Sequence, residues 1–141
     1  MCGIVGLFLR DPALEPDLGT MLAGMLMTMS DRGPDSAGIA LYARPEAGRV
    51  KITVQSADPD GDFPELAKEL SARIGAPVDM GRKDSHAVLR LPAEALPPAR
   101  AALADRRPGV RVMSTGEGIE IYKEVGLPRD DFPHRLSGGQ R

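Results

Sequence analysis

A chain of 141 residues is long enough for one domain with a real core, or for a small domain with an appendage. Its apolar fraction of 42% and charged fraction of 27% are ordinary for a globular protein, and a net charge of −2 argues against a general nucleic-acid binder, which would carry a basic footprint. The single Cys excludes an internal disulfide framework and fits a reducing compartment.

Residues 2–8, CGIVGLF, form a nearly continuous apolar run that reads as a buried strand, with Gly3 and Gly6 allowing close backbone approach. After the turn RDPALEPDLG, apolar residues recur at Leu14, Leu18, Met21, Leu22, Met25, Leu26 and Met29. This helical spacing predicts one wide apolar face, better placed in a core than elsewhere. Pro16 and Asp17 suit a first turn, and Gly33 and Pro34 stop the helix. AGIALYA (37–43) reads as a second strand.

The section 46–123 has a different texture and reads as an inserted α+β layer, in the order β-α-β-α-β-β. RVKITVQ is a strand by alternation. DFPELAKELSARIG is an amphipathic helix with Leu66, Ala67, Leu70 and Ile74 on one face and Gly75 past its end. HAVLRL is a strand. PAEALPPARAALADRRPG is a helix expected to be poorly formed around Pro97 and Pro98. VRVMST and GIEIYKE read as strands joined at Gly116, Glu117 and Gly118. Residues 124–141 are polar, punctuated by Gly and Pro, and read as a tail or a truncated continuation.

The N-terminus carries the chemistry. Loss of Met1 would leave Cys2 with both a thiol and a free α-amine. The amine has an ordinary pKa of about 7.7–8.0, near working pH, and suits a general base. One residue then supplies nucleophile and base. A lone Cys is otherwise a small buried hydrophobe. The second stretch, DRGPDSAG (31–38), is a helix stop and a turn. There Arg32 can bind a carboxylate or brace the loop, and Asp35 can accept backbone N–H bonds.

MCGIVGLF at the chain start, a helix of about four turns, and RGPDSAG leading into an apolar strand together resemble the class II glutamine amidotransferases, a family of N-terminal-nucleophile hydrolases. GIEIYKEVGLP (118–128) further resembles the stand-alone amidotransferase subunits related to the glutamate synthase amidotransferase domain. The resemblance implies the N-terminal part of an αββα sandwich carrying the inserted α+β subdomain, with residues 1–45 as its first part. It implies that Cys2 attacks the side-chain amide of glutamine, forming a γ-glutamyl thioester, with Arg32 and Asp35 as active-site support. It also implies ammonia passed to a synthase-type partner subunit; no cofactor and no metal are expected, and the single Cys fits a cytoplasmic setting.

The family's Gly-His-Thr-Arg-type segment and its Asn-Gly oxyanion pair do not occur in 44–141, and the chain holds no Asn. The chain is therefore expected to be an incomplete N-terminal fragment, inactive alone. The alternative is a non-catalytic module that uses the α+β layer to bind a ligand or partner. LSGGQR (136–141) matches an ATPase signature, but without GxxxxGK[ST] it reads as coincidence or artefact. RKDSH and ADRRPGVR read as solvated surface. The adjacency of Asp84, Ser85 and His86 is no sign of a triad, which is assembled in space. No His, Cys or carboxylate spacing suggests a metal site. No signal peptide is expected at the N-terminus, and MLAGMLMTM falls far short of the roughly 18 residues a membrane span needs.

Overall fold

The structure, a computed structural model, describes residues 3–30 and 36–125. The expectations placed on Cys2, Arg32, Asp35, the Gly33–Pro34 helix stop and the LSGGQR tail lie outside these residues. By contacts the chain divides into two compact units, Met1–Gly38 with Lys123–Arg141, and Ile39–Tyr122.

In the first unit, residues 3–9 carry no regular secondary structure. The expected strand is absent because a strand needs a neighbour to take its backbone N–H and C=O groups, and no described residue pairs with this run. Ile4 is 95% exposed and Phe8 86%. Among the described residues nothing comes within 4 Å of the position a Cβ would take on Gly6, so none of them makes the expected close approach there. Asp11 then caps a 3-10 helix over Pro12–Asp17, accepting a 2.9 Å hydrogen bond from Ala13 N–H. The chain continues into α1, Leu18–Thr28. Leu18, Met21, Leu22, Met25 and Leu26 of α1 are half-buried, and no residue of the helix is fully buried. Its apolar stripe is therefore not part of a closed core among the described residues.

The second unit is built on β2 (Arg49–Ser56), α2 (Pro59–Asp62), α3 (Leu66–Ile74), β3 (Asp79–Lys83), β4 (His86–Pro92), α4 (Leu96–Arg106) and β5 (Val110–Gly116). The strands form an antiparallel sheet in the order β3-β4-β2-β5. Each helix links two parallel strands that have an antiparallel strand between them. This is the double split βαβ arrangement of ferredoxin-like folds. Alternation puts Val50, Ile52 and Val54 of β2 and Ala87, Leu89 and Leu91 of β4 in one core with Phe63, Leu66, Leu70, Ala99, Ala102 and Leu103. Gly75 ends α3 in the left-handed region at φ 66°, the conformation its lack of a Cβ permits.

Three details differ from the sequence reading. β3 was not expected: DMGRK has no β-branched residue and three charges, a composition that suits an edge strand. The prolines of α4 lie in its first turn, where a missing N–H removes no helical bond, so the helix is intact. β5 and β6 (Ile119–Val125) do not form a hairpin; β6 pairs with β1 (Ser36–Tyr42) in a separate two-stranded sheet. The turn between them re-aims the chain. Ala43 N–H donates to Gly118 O at 2.8 Å, and a Cβ on Gly118 would lie 2.3 Å from Ala43 O.

Candidate functional site

The residues that face away from the helices form the chemically distinctive surface of the second unit. Register places them in rows across β3, β4 and β2: Asp79, Arg90 and Lys51; Gly81, Val88 and Thr53; Lys83, His86 and Gln55. β6 contributes Glu120 and Tyr122, which lie two residues apart and so point the same way.

Glu120 is the centre of this cluster. Lys51 Nζ donates to its Oε1 at 2.7 Å, and Tyr122 Oη donates to its Oε2 at 2.5 Å. Both partners of the ion pair are largely buried. Burial alone would push the Glu120 carboxyl up. The hydrogen bonds from Lys51 and Tyr122 and the charges of Lys51 and Lys83 outweigh it and hold the carboxyl below its ordinary value. The Tyr122 phenol is pushed up, first by burial and then by the hydrogen bond and charge of Glu120, against a smaller pull from Arg90. It is a fixed donor here, not an acid.

Around Tyr122, the His86 ring packs edge-on at 5.4 Å and Lys83 Nζ stands 5.3 Å from the ring centroid. His86 is fully buried, with Nδ1 2.9 Å from Ser85 Oγ. An imidazole without solvent access does not serve a hydroxyl nucleophile for a substrate in solution, so the pair anchors the β3–β4 turn. Thr53 Oγ1 is buried and has no hydrogen-bond partner among the described residues. On the helix side, a groove of about 600 Å³ runs between α3 and α4, floored by Leu66, Leu70 and Leu103 and rimmed by Glu69, Arg73 and Arg107. Arg107–Glu69 at 2.6 Å and Arg73–Asp105 at 3.1 Å join the two helices.

Among the described residues no three His, Cys, Asp or Glu side chains gather as a metal site, and no helix is long and apolar enough to cross a membrane. The sequence singled out none of Lys51, Glu120 and Tyr122. The alternation of RVKITVQ put Lys51 on the face opposite Val50 and Ile52, but nothing local announced its partner 69 residues away.

No family model and no solved structure matches the chain. It is 28% identical, over 89% of its length, to a putative glutamine amidotransferase of Methanothermobacter thermautotrophicus (strain Delta H), of which the match covers 44%. It is 54% identical, over 99% of its length, to the glutamine amidotransferase-like protein GlxB of Rhizobium meliloti (strain 1021), of which the match covers 47%. The chain thus spans about half the length of these curated relatives, and over almost all of its own length it is similar to proteins named for glutamine amidotransfer.

Proposed function

We propose that this chain carries the nucleophile of a class II glutamine amidotransferase. The observation that carries the reading is the 54% identity, over 99% of the chain, to a glutamine amidotransferase-like protein, in a sequence whose second residue is its one cysteine.

In the proposed reaction the Cys2 thiol gives its proton to its own α-amine as the sulfur attacks the amide carbon of glutamine. The tetrahedral adduct expels ammonia, which takes up a proton from that amine, and a γ-glutamyl thioester remains. Water cleaves the thioester to glutamate and regenerates the thiol. In this reading Arg32 and Asp35 support the active site without acting as primary catalysts. The ammonia goes to a synthase-type partner subunit. The oxyanion donors would come from residues outside this chain, since it has no Asn-Gly pair.

The test is the intact mass of the purified chain before and after incubation with the diazoketone analogue of glutamine. The reading expects Met1 to be absent and, in the assembled enzyme, one adduct on Cys2 with none in Cys2→Ala; a 141-residue chain that has lost Met1 but takes no adduct has its nucleophile exposed and its binding half missing. In the assembled enzyme Cys2→Ala should lower glutamine hydrolysis by at least about a thousandfold. Retention of Met1 blocks the amine and overturns the mechanism in favour of a non-catalytic binding module.

A further inference from the structure

We propose that the β3 edge of the sheet face turned away from the helices, around Gly81, binds an oxyanion, a carboxylate or phosphate group, between Arg90 and Lys83 beside the Tyr122 ring. The inference rests on the second unit alone and is independent of the glutaminase reading.

The charges on this face do not balance. Arg49, Lys51, Lys83 and Arg90 share it with Asp79 and Glu120. Arg49 is held by Asp79 at 2.6 Å and Lys51 by Glu120 at 2.7 Å. Lys83 acts on Glu120 only through its charge and Arg90 lies across the strand from Asp79, so among the described residues neither closes an ion pair of its own and the face keeps an excess of positive charge; both cations are half-buried. Partial burial strips water from a cation, and two like charges on one face repel. An arriving anion relieves both. Glu120 does not oppose it, because its charge is already met by Lys51 and by the Tyr122 hydroxyl.

The space for such a group is built into the strand. Gly81 lies diagonally between Arg90 and Lys83 in the register of β3 and β4. A Cβ placed on Gly81 would find Arg90 Nη1 at 3.7 Å and no other heavy atom of the described residues within 4 Å. The guanidinium therefore leans over the residue that lacks a side chain, towards the Lys83 end of the strand. An arginine fork meets two oxygens of a carboxylate or phosphate at once, and a lysine adds a mobile point charge. The Tyr122 ring, with Lys83 at 5.3 Å from its centroid, forms one wall.

The experiment is a titration of the isotope-labelled full chain with sodium phosphate and, separately, with sodium succinate, followed by amide chemical shifts at constant ionic strength. The expected result is a saturable shift at Gly81, Lys83 and Arg90. Arg90→Gln, by losing one charge-assisted hydrogen bond, and Gly81→Val, by filling the space the anion needs, should each weaken binding at least about tenfold. Lys68→Gln, on an exposed residue of α3, should leave it unchanged. Tighter binding of phosphate identifies a phosphorylated ligand, and tighter binding of succinate a carboxylate. If neither anion gives a saturable shift, or if Gly81→Val binds as well as the parent chain, the proposal is overturned. Should Arg90→Gln fail to fold, Lys83→Gln and Gly81→Val carry the comparison.

Discussion

Glu120 is 8% exposed and yet charged, because Lys51 and Tyr122 together supply what water would have supplied. Taking one member out of such a group leaves the others buried and unmatched, which is worse than never having built it. Glu120→Gln should therefore destabilise the chain by about 3 kcal/mol at neutral pH. The pH dependence follows from the direction of the shift. The folded carboxyl lies below its ordinary value of 4.5, so the unfolded chain takes up the proton first as pH falls. The stability due to Glu120 is complete above that ordinary value and is lost as the pH drops through the lower, folded one. Urea unfolding from pH 7 to pH 3 should show a steeper acid loss for the parent chain than for Glu120→Gln. Parallel curves would mean that the carboxylate is not held by its partners as described.

At the scale of elements, α4 separates two effects of proline. Pro97 and Pro98 sit in the first turn, where no helical hydrogen bond is lost. Pro97→Ala should change stability by less than about 1 kcal/mol. Ala101 lies further along the same helix and is exposed, so Ala101→Pro tests the backbone without disturbing the core. It should cost about 3 kcal/mol or more, read as a lower urea midpoint. The sequence suggested a break at Pro97 because proline was weighed without its position. Where a pattern is set by one face against a core, it was legible: alternation in RVKITVQ marked β2, and Leu66, Leu70 and Ile74 marked the buried side of α3. Where an element is defined by its neighbour, it was not. β3 is a strand because β4 lies beside it, and β6 leaves β5 because Gly118 lets the chain pass against Ala43. Cys2, Arg32 and Asp35 are candidates read from a motif with fixed spacing, and they lie outside the described residues. The Lys51–Glu120 pair required knowing where β6 comes to rest.

At the scale of the molecule, the core residues from Val50 to Val110 all belong to the unit Ile39–Tyr122. The helix α1, by contrast, buries none of its residues. A core that is complete within one stretch of chain can fold with that stretch alone. A chain of residues 36–125, which keeps β1 and β6 whole, is thus expected to unfold in one cooperative transition. Its urea midpoint should match that of the same transition in the 141-residue chain. Leu103 tests the point from inside. It is 1% exposed and packs from α4 into the sheet, so Leu103→Ala should cost about 3 kcal/mol through lost burial and the cavity left behind. If the core is self-contained, that loss is the same in both chains, because no residue outside 36–125 helps to fill or relax the cavity. A shorter chain that fails to unfold cooperatively, or a Leu103→Ala penalty that differs by more than about 0.5 kcal/mol between the two, would show that this core draws on the rest of the protein.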